Sequence, residues 1–198
     1  DQRVILVTRG GMAAGMETVD LLNALLAVPD LRDALLIAVL GDRERGYRLV
    51  VQHIPPTPRL RVERFVEAME AYLAASDIVV GKAGGLSSTE TFTVGRPLVV
   101  YAPNEGVETA NVARFSAAGA VVNAERSPEK VVTAVRELLA SPERRRALVN
   151  AGQSLLTQAS RQAVRGAIER LARGTAPVVG ASAQTVQPDR TLPQTHDQ

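Results

Sequence analysis

The chain has 198 residues, 45% of them hydrophobic, enough for one domain with a real core; only 3% are aromatic, so Ala, Val and Leu must build that core. Its 23 basic and 21 acidic residues nearly balance at +2, and no basic stripe with interleaved aromatics appears, which argues against nucleic acid as a partner. The lack of cysteine excludes disulfides, thiolate nucleophiles and cysteine-bearing zinc sites, His53 and His196 form no metal motif, and no apolar run reaches the ~18–20 residues of a membrane span.

The first predicted element is a short apolar, β-branched strand at 3–8, RVILVT. Residues 16–28 carry Val19, Leu22, Leu25 and Leu26 at helical spacing. ALLIAVL, 34–40, reads as a second buried strand ending at Gly41-Asp42, followed by a helix over 43–52 and a breaker, IPPTP, at 54–58. A strand is expected over 60–66, a short helix over 67–76 and a strand over 77–81. The next helix, 87–94, is stopped by Gly95-Arg96-Pro97, and a strand follows at 97–102. Then come a helix over 108–119 and a short strand over 120–123. Ser-Pro-Glu opens a helix at 127–140 and again at 141–152, with serine as the cap and proline at the first helical position. A last helix is expected over roughly 155–173.

This alternation, with apolar runs too uniform for a one-sided sheet, predicts an α/β fold: a Rossmann-like open parallel sheet of about six strands with helices on both faces. One domain should span 1–173. From 174 to 198 the chain turns rich in Pro, Gln, Thr and Gly without helical period, which predicts a disordered tail containing His196. The sequence begins with Asp rather than Met and opens almost at once on a strand, so it reads as a piece of something longer.

Ligands of such sheets bind at the carboxyl ends of the strands, so the loops there are the candidates. The first, TRGGMAAGM, places Gly10, Gly11 and Gly15 between strand and helix, with GGxxxG spacing that differs from the dinucleotide GxGxxG. The second, GKAGGLSSTE, puts Gly84 and Gly85 before Ser87, Ser88 and Thr89. Those hydroxyls could cap a helix or bind an anion, and Glu90 one turn in could accept from two adjacent hydroxyls or merely sit well on the helix dipole. Lys82 precedes the glycines, so this is no Walker loop. The third, YAPNEGVETAN, holds Asn104, Glu105, Gly106, Glu108 and Asn111 and suits either sugar hydroxyls or plain solvent. The run Arg144–Arg145–Arg146 reads as a solvated helix face, with a peripheral-membrane contact secondary.

Taken together, the stretch from DIVVGKAGGLSSTE to NEGVETANVARFSAAGAVV resembles the donor-binding half of UDP-sugar glycosyltransferases with two Rossmann-like domains. It is most similar to the diacylglycerol galactosyl- and glucosyltransferases and, more distantly, to the peptidoglycan N-acetylglucosaminyltransferase. The resemblance is specific over 77–123 and diffuse over the rest of 3–172. It implies that Glu90 binds the ribose hydroxyls of UDP, and that Gly84, Gly85, Leu86, Ser87 and Ser88 face the diphosphate. Phe65 and Val66 would read the uracil edge through their backbone, with Gly10 and Gly11 near the phosphates and the acceptor cleft. Gly106, Val107, Glu108 and Asn111 would face the donor sugar. The family pattern has proline where Ala83 stands, proline at Glu105 and glutamine at Val107, which leaves the sugar's identity open.

The resemblance further implies an inverting hexosyl transfer to a lipid acceptor such as diacylglycerol, with no catalytic residue in this chain. The general base, the acceptor and the peripheral membrane contact would belong to an N-terminal domain cut off upstream or carried by a separate subunit. No metal or other cofactor is expected, and the complete enzyme would be cytoplasmic and peripherally membrane-bound. The alternatives are a degenerate nucleotide-sugar- or partner-binding module, and a UDP-sugar 2-epimerase of related fold. A nicotinamide dehydrogenase is disfavoured by the glycine spacing.

Overall fold

The computed structural model describes residues 2–10, 15–156 and 158–173. Gly11 and the expected tail at 174–198 lie outside the described residues. The chain divides into two units, 1–157 and 158–198. The second contributes one described helix, Gln158–Ala172, in which Arg165 pairs with Glu169 one turn on.

In the first unit the strands are β1 (Val4–Thr8), β2 (Leu35–Val39), β3 (Leu60–Glu63), β4 (Ile78–Gly81), β5 (Leu98–Val100) and β6 (Val121–Asn123). All pair parallel, in the order β3-β2-β1-β4-β5-β6. The order reverses between β1 and β4, which makes the crevice at their carboxyl ends the topological switch point. The helices are α1 (Met16–Leu26), α2 (Glu44–His53), α3 (Met69–Ala75), α4 (Gly85–Val94), α5 (Val107–Ala117), α6 (Pro128–Ala140) and α7 (Pro142–Leu155).

The period-2 alternation of the strands sends side chains to two cores. Ile5, Val7 and Val80 meet Leu22 and Leu25 of α1 and Val131, Val135 and Leu138 of α6. Leu6, Val79, Leu98 and Val100 meet Leu73 of α3, Phe92 of α4 and Val112 of α5. Both faces are therefore covered, as the uniformly apolar strands require.

Among the boundaries that differ from the sequence reading, three bear on the site or its packing. β3 stops at Glu63 rather than at 66, because it is an edge strand whose only partner, β2, ends at Val39 opposite Glu63. Phe65 and Val66 are thereby released into a loop. α4 begins at Gly85, two residues earlier than expected, with Gly84 as its N-cap. α7 runs past Gly152 to Leu155, because that glycine serves packing rather than termination: a Cβ there would lie 2.6 Å from Cδ1 of Phe92.

The expected stops and caps are present. Gly95 ends α4 at φ +74° with the paired bonds Gly95 N–H to Phe92 O and Arg96 N–H to Thr91 O. Ser127 and Ser141 accept from the N–H groups of Lys130 and Arg144 at 3.1 and 3.2 Å. Ser127→Ala or Ser141→Ala should each cost ~1 kcal/mol and lower the melting temperature of the chain by about 2–4 °C in a circular-dichroism scan. No change in either would mean that these caps carry no weight.

The arginine run is engaged rather than free. Arg144 pairs with Glu137 and Arg146 with Glu143, while Arg145 joins Arg3 on the terminal carbonyls of α6 at Leu138 and Leu139. No described helix is long and apolar enough to cross a membrane.

Candidate functional site

α1, α4 and α5 follow three neighbouring strands, and each starts on a glycine that leaves its first N–H groups without a side-chain cap: Gly15, Gly84 and Gly106. α6 and α7, in contrast, are closed by serine. Uncapped N-termini at the carboxyl edge of a parallel sheet present backbone donors and positive dipole ends, which favour an anion. At Gly106 the backbone has φ +88° and ψ −120°, a conformation open in practice only to glycine.

The hydroxyls of GKAGGLSSTE do not cap α4. Thr89, Thr91 and Thr93 donate back to the carbonyls of Gly85, Ser87 and Thr89, each at 2.7 Å. Ser88 is fully buried and its Oγ has no hydrogen-bond partner. Ser87 is half-buried, and its Oγ lies 3.9 Å from where a Cβ on Gly10 would stand, so the first and second loops approach one another.

Between those loops is a cavity of about 280 Å³, lined by Thr8, Gly10, Val39, Gly41, Asp42, Phe65, Val66, Met69, Leu86, Ser87 and Glu90. That is near the lower end of the ~300–1,000 Å³ typical of small-ligand sites. It unites Gly10, Phe65, Val66, Leu86, Ser87 and Glu90, residues up to 80 positions apart. Phe65 and Leu86 are 67% and 75% exposed, unusual for such apolar side chains. Glu90 forms no hydrogen bond or ion pair among the described residues and is half-exposed. A carboxylate kept free beside uncapped backbone donors can accept from two adjacent hydroxyls while the donors take an anion. A larger hollow of about 520 Å³, between Asp30 and the C-terminal half of α6, opens at the amino end of the sheet, away from these loops.

The third loop stands beside the cavity rather than in its wall. Glu108 accepts from the backbone N–H of Asn104 at 2.5 Å and from its Nδ2 at 3.2 Å. Asn104 Oδ1 accepts from Lys82 Nζ at 2.9 Å, and Asn111 Nδ2 donates to Ala83 O at 2.8 Å. Val107 is 77% exposed. The loops after β4 and β5 are thus tied together by side chains, with Glu108 Oε1 close over Gly84. Beneath them Arg9, 2% exposed, pairs with Glu17 at 2.8 Å and donates to the carbonyl of Tyr101 at 3.3 Å, while the Tyr101 hydroxyl donates to Glu17 O.

Several of these residues escaped the sequence reading. Thr8, Val39, Gly41, Asp42 and Met69 join the cavity only through the fold, although Gly41-Asp42 ends a strand and the rule that ligands sit beyond strand ends would have found it. Nothing in the sequence marks Arg9 as buried. His53 is exposed on the last turn of α2, its Nδ1 against Leu49 O at 2.8 Å, far from these loops in the chain and outside the cavity lining.

The strand order, the glycine-opened helices and the cavity at the reversal place the chain in the class of doubly wound α/β domains that hold their ligand at the switch point. Within that class it belongs to a particular family: the glycosyltransferase family 28 C-terminal domain, whose sequence model matches residues 44–169. The UDP-N-acetylglucosamine–N-acetylmuramyl-(pentapeptide) pyrophosphoryl-undecaprenol N-acetylglucosamine transferase of Moorella thermoacetica is 30% identical over 169 residues, covering 78% of this chain and 45% of its own length. The processive diacylglycerol beta-glucosyltransferase of Bacillus licheniformis is 24% identical over 151 residues, covering 73% of this chain and 37% of its own. The chain therefore spans less than half the length of these relatives. Among solved structures, a putative UDP-N-acetylglucosamine 2-epimerase from Listeria monocytogenes superposes with a TM-score of 0.71 at 17% identity, covering 88% of this chain and 46% of that one, a likeness of fold alone.

Proposed function

We propose that the chain is the UDP-sugar-binding half of an inverting glycosyltransferase that transfers a hexose to a lipid acceptor such as diacylglycerol. The observation that carries this reading is the free Glu90 carboxylate in a cavity bounded by the glycine loop after β1 and the uncapped start of α4. Glu90 would take the ribose hydroxyls, and the backbone around Phe65 and Val66 the uracil edge. Gly10, Gly11 and the N-terminus formed by Gly84, Gly85, Leu86, Ser87 and Ser88 would take the diphosphate. Gly106, Val107, Glu108 and Asn111 would border the sugar. The relatives named above, which act on UDP-N-acetylglucosamine or glucosylate diacylglycerol, support this assignment.

In transfer, an acceptor hydroxyl attacks the anomeric carbon, the bond to the β-phosphate oxygen breaks, and UDP leaves with an added negative charge. Fixed donors at a helix N-terminus bind that charge more strongly in the transition state than in the ground state, which lowers the barrier without a metal. The acceptor site and the general base would come from a second domain, upstream or on another subunit, with the membrane contact. Residues 1–173 are the donor domain in this reading.

A binding module without catalysis is the second reading, favoured by the full engagement of Glu108 with Asn104 and by exposed Val107 where the family pattern has glutamine. Calorimetric titration with UDP, ADP and UDP-hexoses distinguishes the two. A donor domain prefers UDP over ADP by at least about tenfold, and one UDP-hexose over its epimers. UDP binding with no preference among hexoses would favour a nucleotide-sugar-binding module, and no preference for UDP over ADP would overturn the donor reading and leave a partner-binding module.

A further inference from the structure

Glu105, the residue that stands where the family pattern has proline, does not line the donor cavity. It lines a different hollow, of about 520 Å³, between the loop after β5 and the loop after β6. That volume lies within the ~300–1,000 Å³ usual for small-ligand sites. Val112 of α5 and Pro103 give the hollow an apolar wall. Its two loops leave their strands through non-glycine residues in the left-handed region, Ala102 at φ +47° and Glu125 at φ +54°. The N–H of Ala102 donates to the carbonyl of Glu125, and Arg126 Nη2 donates to Pro103 O at 3.1 Å, so the loops are clasped twice. Left-handed alanine and glutamate persist only where their surroundings hold them, and such backbone gathers at ligand clamps.

The polar groups of this hollow fall into two sets. One set is spent inside the fold. Glu125 pairs with Lys130 at 2.6 Å, the Ser127 hydroxyl caps α6 and donates to Glu129, and Thr109 donates to Asn104 O. The other set is free. Glu105 is exposed and forms no hydrogen bond or ion pair among the described residues. Asn123 uses its Oδ1 on the N–H of Glu125 and keeps its Nδ2 donors. Arg126 makes no ion pair among the described residues and spends only its Nη2 bond to Pro103. An anion and a cation that line one cavity without pairing leave room for a ligand between them. Such a ligand must donate to Glu105 and accept from Arg126 and Asn123. Adjacent hydroxyls do both, and the C–H face of a sugar ring suits the wall of Val112 and Pro103. A simple anion would be repelled by Glu105, and a simple cation by Arg126. A strut between the two loops would explain Arg126 and Glu125, but not the free carboxylate of Glu105.

We propose that this hollow is a second carbohydrate subsite, separate from the donor cavity, which takes a hexose unit: Glu105 accepts from two adjacent hydroxyls, while Arg126 and Asn123 donate to hydroxyl oxygens. The unit can come from a soluble glycoside or from the headgroup of a glycolipid, since both present the same hydroxyls. The subsite does not depend on Glu90 or on UDP, because no residue that lines it lines the donor cavity.

The test is saturation-transfer NMR of the full chain with methyl β-glucoside and methyl β-galactoside. Flotation on phosphatidylcholine vesicles carrying glucosyl-diacylglycerol, or diacylglycerol alone, separates the two sources. Glu105→Gln should weaken the binding by about tenfold, the loss of a charge-assisted hydrogen bond, and leave the melting temperature unchanged, because Glu105 has no partner among the described residues. UDP-glucose, added to fill the donor cavity, should not displace the glycoside. Binding of a glycoside assigns a soluble source. Flotation on the glucosyl-diacylglycerol vesicles alone, without glycoside binding, assigns a lipid headgroup. No binding to any probe, equal flotation on both vesicles without glycoside binding, displacement by UDP-glucose, or unchanged affinity in Glu105→Gln overturns the inference. None of these outcomes touches the donor reading, which the UDP titration decides.

Discussion

Glu90→Ala is expected to weaken UDP binding by about a hundredfold or more, while the melting temperature stays within about 2 °C of the wild type. The two halves of that expectation come from the same fact. Glu90 has no partner among the described residues, so removing it strands none of them and costs little stability. In the complex its carboxylate would accept two hydrogen bonds from the ribose. Each charge-assisted bond is worth ~1.5–3 kcal/mol net, so the pair supplies at least about 3 kcal/mol. Glu90→Gln keeps the shape and one acceptor and should fall between, near a tenfold loss. Calorimetry reads the affinity and a thermal scan reads the fold. UDP affinity within threefold of wild type in Glu90→Ala would remove the ribose contact from the site.

Phe92→Ala carries the largest expected effect on stability. Phe92 is 2% exposed and meets Phe115 edge to face, with centroids 5.3 Å apart at 84°. Truncating such a ring removes ~3–5 kcal/mol of burial and packing. The melting temperature should fall by about 10 °C. The effect should reach the site as well, because α4 bears Phe92 toward the sheet and Leu86, Ser87 and Glu90 toward the cavity. The same contact can be stressed from its other side. Gly152→Ala gains ~1 kcal/mol of helix propensity, but its Cβ meets the Phe92 ring at 2.6 Å, and overpacking costs ~1–3 kcal/mol, so a net loss is expected. Phe92→Leu opens room for that methyl. The double variant Phe92→Leu with Gly152→Ala should therefore be more stable than the sum of the singles, by ~0.5–3 kcal/mol. Strict additivity in denaturant titrations would show that α4 and α7 are not in contact here.

Much of the fold was legible in the chain because its signals are local. Ser-Pro-Glu announced α6 and α7, and Gly95-Arg96-Pro97 closed α4. The apolar strands announced a sheet covered on both sides. The boundaries that shifted depend on neighbours: β3 ends where β2 ends, and α7 passes through Gly152 because Phe92 fills the space a side chain would need.

The site divides in the same way. Gly10, Phe65, Val66, Leu86, Ser87 and Glu90 could each be named from strand ends, glycines and the family pattern, and one cavity unites them. The family, too, could be named from residues 77–123, where the motif is continuous in sequence. What the amino-acid sequence determined alone was therefore the α/β class and the kinship, since both are written in short-range patterns. Only the tertiary structure decided that the threonine hydroxyls of α4 turn back onto their own helix, that Glu108 is held by Asn104, and that Arg9 lies buried on Glu17. Those outcomes depend on which side chains compete for the same donors and on how much water remains between β1, β4 and β5, and such competition exists only once distant segments have been brought together.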